Sequence, residues 1–211
     1  KMDYFFTYQV KVELEQKVDS DFVEVYFGDF APGFFAWFIP YGEKEAEIGL
    51  GYKEGNAKEH FSRFSKKFNI KKVIVEQSAP IPVFDPRERT VFGNKALIGD
   101  AAAQVKATTG GGIVFGLRCA EILAEAVGKE DLGYYEKTWR KLYEKDLMNH
   151  LRVRKFIDKA DLEEIFRVVK EKEINKLIEE YGDMEHPGKL IKEVLKRPSL
   201  LPYFARMFLS I

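Results

Sequence analysis

Cysteine is almost missing: Cys119 is the single one in 211 residues. No internal disulfide can form, which fits a reducing compartment and sets aside the small stapled secreted folds. Histidine is nearly as rare. His60, His150 and His186 are far apart and lack metal-ligand spacing, so no metal is expected. No apolar run reaches the roughly 20 residues of a membrane span. Lys1 to Val12 is broken by polar residues, unlike a secretory leader. Neither sign of charge is in excess, since 34 basic residues balance 34 acidic ones. A neutral chain lacks the basic field that draws nucleic acid, which is therefore not an expected partner. Repeats and low-complexity tracts are absent too. These absences point to a cytoplasmic globular protein. Scarce Asn, Gln, Cys and Met beside 32% charged residues tilt toward a heat-adapted source.

What is present is apolar and aromatic. Apolar residues make up 45% of the chain, with 18 Phe and 10 Tyr, enough for a substantial core. The first 90 or so positions read as β. Tyr4 to Leu14 alternates in part, with Tyr8, Val10, Val12 and Leu14 on one face. Phe22 to Phe27, Phe34 to Ile39 and Glu45 to Tyr52 follow as strands, and their short connections favour antiparallel pairing. Ala57, Phe61, Phe64 and Phe68 share one face of a helix from about Asn56 to Phe68. Val73 to Val75 reads as a fifth strand, and Pro80, Pro82 and Pro86 as an extended linker. Later positions read as helical. The first of these helices runs from about Gly112 to Val127, with an apolar line of Ile113, Leu117, Ala120, Leu123, Ala124 and Val127 and Gly128 as its stop. Trp139, Leu142 and Tyr143 mark a further helix, and Leu162, Ile165, Phe166 and Val169 another. The fold class is α+β. The expected parts are an antiparallel-sheet substrate domain over 1–88, a remnant of a cofactor-binding domain over 89–130, and a helical region over 131–211.

One segment carries chemistry. Ala96-Leu97-Ile98 reads as a brief buried strand, followed by Gly99-Asp100-Ala101-Ala102, further small residues, and Thr109-Gly110-Gly111-Gly112-Ile113 at a helix start. Such a turn leaves backbone N–H groups and a helix N-terminus facing open space, a place that suits a phosphate or another electron-rich group. Asp100 can accept hydrogen bonds from sugar hydroxyls. On its own it can equally serve as a helix cap or turn former, and the glycines as a flexible turn.

The loop has company. Gly33-Phe34-Phe35-Ala36-Trp37-Phe38-Ile39-Pro40 precedes Gly49-Leu50-Gly51 by eight residues. This resembles the aromatic-x-Trp-x-x-Pro and Gly-x-Gly signature of the geranylgeranyl reductases. The later Gly99–Ala102 and Thr109–Ile113 stretches resemble that family's second FAD motif. The family belongs to the flavoprotein monooxygenase superfamily, with a fold like p-hydroxybenzoate hydroxylase, and the nearest likeness is to archaeal enzymes that saturate the isoprenoid chains of membrane lipids. It runs from about Tyr8 to Gly128. Ala107 stands where similar proteins usually have proline, and Ile39 where they have phenylalanine.

The resemblance implies FAD as cofactor, held by Gly99, Asp100, Ala101, Gly110, Gly111, Gly112 and Ile113. It implies an isoprenoid lipid substrate at Phe35, Trp37, Pro40, Gly49 and Gly51. Phe35 and Trp37 stand as readily for ordinary core. Family members begin with a strand, a Gly-x-Gly-x-x-Gly turn and a ribose-binding acid. None is found here, so the expectation is a C-terminal portion, or one part of a split protein, lacking about 150 residues. The expected partners are that missing half or a second copy of the chain. No catalytic residue or proton donor is named, since the family's reactive cysteine belongs to the missing part. Cys119 reads as a buried small hydrophobe and Lys106 as an exposed lysine, with a phosphate contact as its alternative. Leu200, Leu201, Tyr203, Phe204, Met207, Phe208, Leu209 and Ile211 read as packing onto the domain, with peripheral contact to a membrane left open. The expected activity is FAD-dependent reduction of isoprenoid double bonds. The alternatives are a monooxygenase of the same superfamily and a non-catalytic lipid- or partner-binding module.

Overall fold

The computed structural model describes residues 3–159 and 172–198, together with positions 163, 166, 169 and 170. The fold is α+β, as the sequence implies, in two compact units, Lys1–Ile81 and Pro82–Ile211.

In the first unit the strands are β1 (Tyr4–Leu14), β2 (Glu24–Tyr26), β3 (Ala36–Pro40), β4 (Glu45–Tyr52) and β5 (Ile70–Pro82). They form a sheet of order β2-β3-β4-β1-β5. Alternation sorts its two faces. Val10 and Val12 lie across from Ile48 and Ala46, and Ala36 and Phe38 across from Leu50 and Ile48. All of these are buried and form one core face. Helix α1 (Ala57–Ser65) covers that face with Phe64, fully buried, while Phe61 and Phe68 close its margin. Burying a phenylalanine of this kind is worth about 2–3 kcal/mol. The Asn56 side chain starts the helix by accepting from Lys58 N at 2.9 Å and Glu59 N at 3.3 Å.

Strand β3 runs from Ala36 to Pro40 rather than from Phe34 to Ile39, and two further strands differ from expectation. The run from Phe22 to Phe27 shrinks to Glu24–Tyr26, with Phe22 and Val23 exposed. Pairing stops at Glu24, opposite Phe38, although β3 runs on to Pro40, a residue with no N–H to offer a partner strand. Strand β5 is longer than expected and takes in Pro80 and Pro82. It sits at the other edge of the sheet, where a missing N–H costs no ladder bond.

The second unit opens with a small hairpin of β6 (Val91–Phe92) and β7 (Lys95–Ala96). A 3₁₀ turn (Gly99–Ala102) follows, then α2 (Ile113–Gly128), α3 (Leu132–Trp139), a π turn (Arg140–Glu144), α4 (Lys145–Ile157), α5 (Lys172–Tyr181) and α6 (Gly188–Leu195). Phe84, Phe115, Cys119, Ile122, Ala126, Tyr135, Trp139 and Leu147 build its core. Ile174, Leu177 and Val194 form a separate small cluster.

Four local expectations are corrected. Leu97 and Ile98 are exposed rather than parts of a buried strand, because pairing ends at Ala96. On α2 the buried line is Phe115, Cys119, Ile122 and Ala126, whereas Ile113 is 81% and Leu117 64% exposed. Both lines have helical spacing, and the Phe115 ring, with the larger apolar area, goes inward. Gly128 is the last helical residue rather than the stop, and Glu130 takes the left-handed conformation at φ +54°. Of the third helix signature, Trp139 is buried and Leu142 exposed, since the π turn breaks the helical phase between them. Leu162, Ile165 and the run 200–211 lie outside the described residues. Among the described residues no helix is long and apolar enough to cross a membrane.

Candidate functional site

In the first unit Trp37, Gly49 and Gly51 share the sheet face opposite the core, whereas Pro40, across from Ala46, falls on the core face. Trp37 lies directly across from Gly49, and Gln9 flanks Gly49 on the other side. A Cβ on Gly49 would stand 2.4 Å from Trp37 Cε2, and one on Gly51 2.2 Å from Phe34 Cδ1. The two glycines are therefore a bed on which aromatic rings lie flat. Phe34 and Phe35 stack at 4.4 Å between centroids, and Phe35 meets Trp37 edge-on at 6.0 Å. Phe34 is buried, whereas Phe35, Trp37, Ile39 and Pro40 stay half-buried. Ala36 and Phe38 take the core role, which leaves an aromatic wall on the other face.

In the second unit the glycine segment is a folded loop. Gly99 at φ +59° lets the chain turn, and a Cβ on Gly116 of α2 would stand 3.4 Å from Gly99 Cα. Loop and helix thus meet glycine to glycine. Asp100 and Ala101 are exposed. The Asp100 carboxylate reaches toward Gly112, where a Cβ would stand 2.8 Å from Oδ1. No side chain caps α2 at Gly112, so its first-turn N–H groups have no side-chain acceptor there. Gly110 is left-handed at φ +72°, Gly110 and Gly111 are half-buried, and Gly112 is buried.

The loop is held from below by residues that sequence reasoning missed. Gln104 is fully buried. Its Oε1 accepts from Gly99 N at 2.8 Å and its Nε2 donates to Tyr135 Oη at 3.0 Å. Tyr135 in turn donates to Leu97 O at 2.7 Å, and burial raises its phenol pKa. This chain of bonds sustains Ala103 in the left-handed region at φ +50°, a conformation that costs a non-glycine residue roughly 1 kcal/mol. The signal was in the sequence: Gln104 is the lone polar residue of the run 101–105.

Lys106 corrects an expectation. It is buried, not exposed, and its Nζ lies 2.5 Å from Glu185 Oε1. Beside it His150 is buried, with Nδ1 2.8 Å from Thr108 Oγ1, and burial and the Lys106 ammonium push its pKa down to about 4. Cys119 is fully buried, and burial pushes its thiol up to about 12, so it is an inert core residue. No cluster able to hold a metal ion occurs among the described residues.

Known proteins give this geometry a context. A geranylgeranyl bacteriochlorophyll reductase-like protein from Thermoplasma acidophilum superposes with a TM-score of 0.61 at 24% identity, over 84% of this chain and 55% of that one. The flavin-dependent halogenase CmlS superposes with a TM-score of 0.56 at 16% identity, over 83% and 39%. At such identities the likeness is one of fold, shared with flavin-dependent proteins. Residues 3–82 match the geranylgeranyl reductase catalytic domain. Digeranylgeranylglycerophospholipid reductase 2 of Methanothermobacter thermautotrophicus is 37% identical over 163 residues, 70% of this chain and 42% of that protein. The digeranylgeranylglycerophospholipid reductase of Methanocaldococcus jannaschii is 32% identical over 210 residues, 89% of this chain and 51% of that protein. The chain is thus related in sequence to the archaeal geranylgeranyl reductases, and it spans about half the length of these curated relatives.

Proposed function

We propose that this chain supplies the lipid-binding wall and part of the flavin-binding loop of an FAD-dependent reductase acting on isoprenoid double bonds. The observation that carries the reading is the aromatic wall laid over Gly49 and Gly51, inside the segment that matches the reductase catalytic domain. A prenyl chain offers no hydrogen bonds, so its site needs extended apolar surface with few polar groups. Phe35 and Trp37 provide such a surface, and the two glycines keep it flat.

The glycine loop fits a flavin. Asp100 is exposed and accepts hydrogen bonds only, as a sugar-like polyol requires. Gly110, Gly111 and Gly112 bring backbone close without side chains, and the uncapped start of α2 favours negative charge. Gly99, Asp100, Ala101 and Gly110 to Ile113 would hold the cofactor. Reduced flavin, when bound, supplies the hydride equivalent that together with one proton saturates a C=C bond. The chain's own part is to bind the polyol through Asp100, to aim N–H donors from the helix start, and to exclude water with aromatic side chains. The nucleotide end of FAD needs a further Gly-x-Gly-x-x-Gly half, whether joined to this chain or separate.

Anaerobic turnover tests the function. With flavin reduced by dithionite and a geranylgeranyl lipid, the assembled enzyme should add two hydrogens per double bond, read by mass spectrometry. A requirement for oxygen, with addition of an oxygen atom, would replace the reductase by a monooxygenase.

A further inference from the structure

The glycine loop is closed on itself at Lys106. Its N–H donates to Gly111 O at 3.1 Å, and its carbonyl accepts from Gly110 N at 2.8 Å and Thr109 N at 3.3 Å. The side chain then runs under the loop, where a Cβ on Gly111 would stand 2.8 Å from Lys106 Cε. The ammonium ends 2.5 Å from Glu185 Oε1, with the lysine side chain only 8% exposed.

Glu185 comes from a distant turn that is itself fixed. Asp183 Oδ1 accepts from Glu185 N at 2.8 Å and His186 N at 3.1 Å, and Lys189 lies 3.0 Å from Asp183 Oδ2. Helix α4 joins both sides. Asp146 and His150, one helical turn apart, reach His186 Nδ1 at 2.8 Å and Thr108 Oγ1 at 2.8 Å. Loop, helix and turn are thus linked by three polar contacts. His150 Nε2 and Glu185 Oε2 are buried there without a partner.

A buried ion pair is a poor source of stability, because desolvating two charges offsets their attraction. An apolar pair of similar volume would serve packing as well. What the pair adds is direction: a charge at 185 accepts Lys106 in one place and so fixes the floor under Gly111. We propose that Lys106 and Glu185 are positioning residues, a latch by which the turn at 183–186 holds the 106–111 loop in one shape. The latch stands on the geometry of this chain, and its consequence for flavin binding rests on the function proposed above.

Hydrogen–deuterium exchange on the chain itself, without flavin, tests it. In Lys106→Met and Glu185→Gln, the amides of Lys106, Thr109 and Gly110 should exchange at least about tenfold faster, the loss expected for a hydrogen bond to a charged group. Amides of α2 from Cys119 to Ala126 should not change. The decisive variant is Lys106→Met with Glu185→Met, which restores apolar packing. It should melt at or above the wild-type temperature and still show fast loop exchange, which a merely structural pair would not. Wild-type loop exchange in that double variant, or in Glu185→Gln, would overturn the latch. A second readout, flavin affinity of the assembled holoenzyme, separates the two ideas. A loosened loop with unchanged affinity would keep the latch and refute the flavin reading.

Discussion

Adding one methyl group to Gly51 should push Phe34 out of place. Gly51 has no left-handed backbone, so only space is at stake. A Cβ there would lie 2.2, 2.8 and 2.9 Å from three atoms of the Phe34 ring. The ring must retreat by more than about 1 Å to reach ordinary carbon–carbon contact near 3.5 Å. It has little room, since it stacks on Phe35 at 4.4 Å and meets Phe5 at 4.7 Å. Overpacking of this kind costs about 1–3 kcal/mol. Gly→Ala also restricts the unfolded chain, which returns about 0.4–1 kcal/mol. The net expectation for Gly51→Ala is a loss of roughly 1–2 kcal/mol, obtained by setting those two effects against each other. With a urea m-value of about 2 kcal/mol/M, the unfolding midpoint should fall by roughly 0.5–1 M. A double-mutant cycle isolates the cause. On a Phe34→Leu background, which thins the side chain above Gly51, the same substitution should lose at least half of its cost. A Gly51→Ala chain as stable as wild type, or a cost that adds unchanged to Phe34→Leu, would refute the aromatic bed.

Further expectations follow from the same contacts. Gly49→Ala should tilt Trp37 off the sheet and shift its fluorescence; an unchanged spectrum would argue against the 2.4 Å approach. Gln104→Leu leaves the half-buried Gly99 N–H without its side-chain acceptor and should cost about 1 kcal/mol, read by thermal melting. Cys119 should react with Ellman's reagent at pH 8 only after denaturation, and prompt labelling of the native chain would contradict its burial. His150 has a folded pKa of about 4, below the roughly 6.5 of an unfolded histidine. The unfolded chain therefore takes up the proton first as pH falls. Stability owed to neutral His150 is complete above about pH 6.5 and declines toward pH 4, by roughly 2 kcal/mol between pH 7 and 5. Lys106, Asp146 and Glu185 all face this ring, and the Lys106 ammonium reinforces the downward shift. His150→Phe should flatten the slope, and an equal slope in both proteins would remove the assignment.

The sheet was legible because its residues alternate. Tyr4 to Leu14 and Glu45 to Tyr52 emerged with their bounds intact, and Asn56 marked the start of α1. The motif spacing from Trp37 to Gly49 became a cross-strand pair. Sequence could not choose between two equally periodic lines on α2, since burial there is decided by Phe115 meeting Tyr143 and the rest of a core assembled from distant segments. Nor could it foresee Lys106 inside the protein, because its partner Glu185 lies 79 positions away. The candidate residues were readable as a set, while the parts that hold them, Gln104, Tyr135, His150 and Glu185, depend on contacts between elements that no local pattern records.

On the function proposed above, the turn from Gly99 to Ile113 carries the middle of a bound flavin. Its most direct test is a fluorescence titration with FAD, using this chain both alone and joined to a Gly-x-Gly-x-x-Gly half. The account predicts weak or absent binding alone, firm binding when joined, and an affinity about tenfold lower in the joined Asp100→Ala variant, the worth of one good hydrogen bond. Equal affinity in the wild-type and Asp100→Ala proteins would contradict it.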